Sequence, residues 1–125
     1  MADAKYSPFG YYFGKFLDAF NILDDHHKSE FDDDLDAWEV SVIVRARTPE
    51  EAYDKIVEIA QRDTRQYKDE LHGVSIEWTF AGITELDPIL HDPCMDTDFM
   101  YVEHHEIKLS DHLQYVRQKD QLCKA

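Results

Sequence analysis

The 125-residue sequence has little of what would place it in several large protein classes. Basic residues are scarce: 13 lysines and arginines stand against 27 aspartates and glutamates, for a formal net charge of −14. A phosphate backbone or an anionic membrane surface is repelled by such a chain, which argues against nucleic acid or membrane as a partner. Cysteine is scarce too. Cys94 and Cys123 form no CxxC pair and no disulfide framework, so we read them as reduced thiols. No run approaches the roughly 18 consecutive apolar residues of a membrane helix, and the opening MADAKYSPFG has no basic segment leading into an apolar one. We therefore expect a cytoplasmic protein. The four glycines are scattered and make no phosphate-cradling loop, and Ser7, Ser29, Ser41 and Ser110 lack a nucleophile-elbow setting. The sequence thus offers no support for an enzyme and implies no cofactor.

What is present suffices for a folded body. The hydrophobic fraction is 43%, with 7 Phe, 7 Tyr and 2 Trp, and a chain of this length buries roughly two-thirds of its unfolded surface as one domain. Trp38, Val40, Val42, Val44 and Ala46 alternate with Glu39, Ser41, Arg45 and Arg47, the period-2 pattern of a half-buried strand, with Ile43 the one apolar exception on the polar side. TPEEAYDKIVEIAQRD then opens a helix: Thr48 as N-cap, Pro49 at the first helical position, Glu51 completing a capping box. Ala52, Ile56, Ile59 and Ala60 form its apolar stripe, and we place it from Pro49 to about Arg65. After the polar connection YKDELHGV, residues 74–86 resume strand character with Val74, Ile76, Trp78 and Phe80 aligned, and Gly82 marks a bulge or bend. DPILHDPCMDTD reads as a surface loop, 99–107 as a further strand, and 110–122 as a C-terminal helix capped by Ser110. The aromatic run YYFGKFLDAFNIL fits helix or strand by periodicity.

The stretches WEVSVIVRARTPEEAYDKIVEIAQRD and VSIEWTFAGITELDPI, preceded by YYFGKFLDAF, resemble a bacterial family of short proteins, domain of unknown function 4288, mainly over residues 38–90. The resemblance implies that the N-terminal aromatic run is a strand. The fold expected is then one α+β domain over residues 1–125: an antiparallel sheet of about four strands in the order β-β-α-β-β, with one helix packed on one face. The resemblance implies no catalytic residue. The acidic segment 24–36 and the C-terminal helix depart from the family pattern.

Those departures shape the functional expectation. Asp24, Asp25, Glu30, Asp32, Asp33, Asp34 and Asp36 concentrate negative charge in one loop, with Phe31 as an aromatic anchor. Such a loop speeds encounter with a cationic protein. We expect a non-enzymatic acidic binding protein of the inhibitor or immunity type that occludes a basic partner, either toxin-like or itself a nucleic-acid binder. Calcium fits poorly. Asp32, Asp34 and Asp36 occupy the first, third and fifth positions of an EF-hand loop, but Ala37 stands where glycine is required and Ile43 where the bidentate glutamate belongs. A different reading makes the C-terminal half a metal or small-molecule module using His91, Cys94, His104 and His105. Strand geometry works against it, because adjacent His104 and His105 point to opposite sides and Glu103 pairs with His105 instead. Tyr11, Phe13 and Ile43 fall on the second sheet face, to be covered by the terminal helix or by a second copy in a homodimer.

Overall fold

The computed structural model describes residues 5–22, 36–62, 66–69 and 74–124. Its strands are β1 (Tyr11–Ile22), β2 (Ala37–Arg45), β3 (Gln66–Asp69), β4 (Val74–Pro88) and β5 (Phe99–Ile107), with helix α1 (Pro49–Arg62) between β2 and β3. All pair antiparallel in one sheet ordered β3-β4-β1-β2-β5. The four long strands and the helix are the expected α+β arrangement. The addition is β3, whose four residues pair with the start of β4 and are too few for alternation to reveal in a sequence. Residues 63–65, where the helix was expected to end, lie outside the described residues.

β1 is the central strand, paired with β2 on one side and β4 on the other, which settles the aromatic run as a strand. Its even-numbered side chains Tyr12 and Phe16 join Val40, Val42, Val44, Ile83 and Leu86 beneath the buried stripe of α1. The helix is seated by the Thr48 hydroxyl, which accepts the Glu51 N–H at 3.0 Å. It lies close to the sheet because position 14 is glycine: a Cβ there would collide with Ile56 Cδ1. Two register shifts between β1 and β4 flank Gly82, which has φ +134°, so this glycine does mark an irregularity.

The C-terminal segment is not the continuous helix expected over 110–122. It forms two short turns, α2 (Leu109–His112) and α3 (Lys119–Leu122), separated by a 3₁₀ turn at Leu113–Tyr115 and an extended Val116. The cause is tertiary. Val116 packs over Gly82, where an added Cβ would sit 2.5 Å from Val116 Cγ1, and Arg117 N–H donates to Ile83 carbonyl at 3.0 Å. A helix through 116–118 would give up both contacts. Gln118 then starts α3 with a reciprocal capping box to Gln121. This segment covers Leu17, Ala37 and Ile107 on the second sheet face. Phe13 and Ile43 are not part of that cluster; half-buried, they lie in one cross-strand row with the exposed Met100.

Candidate functional site

The helix protects only part of its own side of the sheet. α1 covers the part built from the start of β1 and the end of β2, and the opposite part is paved with rings. Phe20 on β1 packs on Trp78 on β4 at 5.3 Å between centroids; Trp78 meets Trp38 on β2 at 5.4 Å; Trp38 meets His104 on β5 at 5.4 Å. His104 meets Tyr101 at 5.3 Å, and Tyr101 meets Phe99 at 5.7 Å. The centroid spacings suit edge-to-face and tilted ring pairs. Because β4 and β2 lie on either side of β1, the two indoles meet over the central strand. At that level Asp18, in register with Trp38 and Phe80, is 93% buried, its exposure being 7%.

The band is accessible. Phe20, Trp38 and Trp78 are half-buried, His104 is exposed and Tyr101 is 39% exposed. The outer part stands on β5, an edge of the sheet, where Met100, Tyr101 and Val102 are all exposed. A register shift between Ser41 and Val42 leaves Val102 as an extra residue in β5, placing Phe99, Tyr101 and His104 opposite Val44, Val42 and Val40. The same shift sends His105 to the other side, where its Nε2 lies against Glu103 Oε1.

Of the carboxylates expected to dock a partner, Asp36 is a fixed part of the fold. Its Oδ1 accepts the Leu109 N–H at 2.7 Å, and its backbone bonds to Phe20 and Ile107. Asp24, Asp25, Glu30, Phe31, Asp32, Asp33 and Asp34 lie outside the described residues. The residues of the metal reading do not converge. His104 belongs to the aromatic band, His105 to the Glu103 pair, and His91 and Cys94 to the exposed 89–98 loop, where Cys94 N–H bonds Asp92 Oδ1 at 2.9 Å. Among the described residues no three His, Cys, Asp or Glu side chains are grouped to hold a metal ion. The cysteines are free, Cys94 exposed and Cys123 buried, and burial first of all pushes the Cys123 thiol above its usual pKa. No described helix is long and apolar enough to cross a membrane.

An antiparallel sheet with one long covering helix and a half-exposed band of rings defines a small α+β protein. The family model described as domain of unknown function (DUF4288) matches residues 11–101, and the chain belongs to that family. The match exceeds the resemblance read over 38–90, taking in all of β1 and the first residues of β5; residues 102–125, with the C-terminal turns, fall beyond it. No curated protein and no solved structure matches the chain.

The sequence pointed to the strands that carry the rings but not to the band itself. Trp38, Trp78 and Phe80 read as inward-facing core residues. That Trp38 and Trp78 instead form an open surface depends on how far α1 extends over the sheet, which periodicity does not encode.

Proposed function

We propose that the chain is a non-enzymatic acidic binding protein of the inhibitor or immunity type, acting in the cytoplasm, that occludes a basic protein partner. The observation that carries this reading is the half-exposed aromatic band that no helix covers among the described residues, on a chain of net charge −14. Rings of this kind take arginine and lysine side chains face-on, each contact worth about 0.5–2 kcal/mol. Tryptophan and tyrosine are also the side chains that most often anchor protein interfaces. Glu106, opposite Trp38 on β5, adds a carboxylate on the band's side, and the acidic 24–36 run that follows β1 in the sequence adds to the long-range attraction.

Because Trp38 and Trp78 are the protein's 2 tryptophans, the band reports on itself. Titration with a short alternating Arg-Thr peptide should give a saturable change in tryptophan emission, weakened by added salt. A Gln-Thr peptide should give none. Tyr101→Ala should weaken binding about tenfold, the loss of one anchor, and replacing Asp32, Asp33 and Asp34 by asparagine should lower the association rate and its salt dependence. Emission indifferent to the arginine peptide, or binding untouched by Tyr101→Ala, would sink the reading.

A further inference from the structure

The scarcity of positive charge makes its location informative. Among the described residues, four cations outside the cavity below are held against carboxylates: Lys5 with Asp87, Lys15 with Glu39, Arg62 with Glu58, Lys119 with Asp54. One open cavity of ≈ 470 Å³ is different. It is lined by Phe9, Gly10, Tyr11, Arg45, Ala46, Arg47, Glu51 and Lys55, so three cations face one carboxylate, which itself pairs with Lys55 at 3.5 Å.

The cations are arranged by the fold. Tyr11 donates its phenolic proton to the Met95 carbonyl at 3.1 Å, which turns the oxygen's lone pairs towards Arg45. Arg45 Nη2 and Nε donate to that oxygen at 2.6 and 3.2 Å, and the guanidinium lies 5.3 Å from the ring centroid. The guanidinium is thus fixed by a phenol rather than by a paired carboxylate; the bond to Tyr11 is the main reason its proton is held more tightly than usual, with Asp98 and Asp96 adding a weaker attraction. Lys55 is drawn to the same rim by donating to the Arg45 carbonyl at 2.6 Å. Arg47 is exposed, and among the described residues it has no carboxylate partner. Phe9, 46% exposed, and the Tyr11 ring give the cavity an apolar wall. With three cations and one carboxylate in its lining, this corner is a poor match to the cationic partner proposed for the aromatic band.

We propose that the Arg45–Arg47–Lys55 cavity is a binding site for a small organic oxyanion, a carboxylate or phosphate carried on an aromatic or apolar body. The oxyanion lies between the Arg45 fork and the Arg47 and Lys55 charges, as planar guanidinium groups favour. The body lies against Phe9 and Tyr11, and the volume falls in the ordinary range for small-molecule sites.

Titration of the whole protein with phenyl phosphate, benzoate and the neutral benzyl alcohol at constant ionic strength, followed by backbone amide resonances, tests this. Phenyl phosphate or benzoate should shift Gly10, Tyr11, Ala46 and Arg47 saturably, and the tighter of the two identifies the oxyanion. Benzyl alcohol should bind at least tenfold more weakly. Arg47→Gln, at an exposed position, should weaken binding several-fold without unfolding the protein, Arg45→Gln should weaken it further, and Tyr101→Ala in the aromatic band should leave it unchanged. Absence of saturable shifts, equal binding of benzyl alcohol, or indifference to Arg47→Gln overturns the proposal, and none of these results touches the aromatic band.

Discussion

The two halves of the helix-bearing sheet side obey the same strand alternation and reach opposite outcomes. Under α1 most inward positions are aliphatic or small, with Val42, Val44, Ile83, Leu86 and Gly14 against Ile56, and the two rings among them, Tyr12 and Phe16, are fully buried. Beyond α1, further positions on the same three strands hold Phe20, Trp38 and Trp78, and β5 adds Tyr101 and His104. Small and branched side chains allow a helix to come close. Rings instead cover one another and tolerate partial exposure, because an aromatic edge carries polarity that an aliphatic group lacks. One sheet therefore supplies a closed core at one end and a half-exposed band of rings at the other.

The contrast is sharpest in stability. Ile56→Ala, in the covered half, should cost about 2–5 kcal/mol by urea denaturation, while Tyr101→Ala in the open half should cost far less. A comparable loss at Tyr101 would mean that the band is core rather than surface. Next in size is Gly82→Ala, which meets both a backbone of φ +134° and the Val116 side chain. We expect a loss of about 1–3 kcal/mol, partly recovered in Gly82→Ala/Val116→Ala, since the second change relieves the collision and leaves the backbone strain. Full recovery would assign the whole effect to packing. Removing the hydroxyl that seats the helix, Thr48→Ala, should cost about 1 kcal/mol and leave the aromatic tryptophan emission unaltered if the two halves are energetically separate.

The smallest effect lies on the reverse side of the sheet. Burial, then the hydrogen bond to Asp87, raises the Glu85 pKa above its ordinary 4.5. The native state then holds this proton more tightly than the unfolded chain, so the contribution to stability is complete below the unfolded pKa and is lost as pH rises through the folded one. Glu85→Gln should accordingly have a slightly higher urea midpoint than the parent near neutral pH, with the advantage fading on acidification. A midpoint difference independent of pH would show that Glu85 acts through shape alone.

Much of the body is legible in the residues. Alternation from Trp38 to Ala46 and the Thr48-Pro49-Glu51 start of α1 are local signals, and local physics decides them. The failures are tertiary. Leu109 to Leu122 has the composition of a helix, yet the chain is interrupted where Val116 must pack over a glycine that lies 34 positions earlier in the sequence. The band escapes for a related reason: Trp38 and Trp78 meet only through the register of β1 with both neighbours, including two shifts that no periodicity announces. The cavity at Arg45 likewise requires Tyr11 and Met95, which the chain brings together from two distant segments. Asp36 reads as one more carboxylate in an acidic run, and its bond to Leu109 needs the end of β5 beside it.

Lys5 donates its backbone N–H to the Cys123 carbonyl at 3.2 Å, so the two extremities of the described chain run side by side. A short flexible linker between these positions would close the polypeptide into a ring, and new ends could then be opened in an exposed connection such as 89–98. Any label or fused domain attached at either extremity departs from a single corner of the molecule, which makes that corner the natural handle for immobilising the protein.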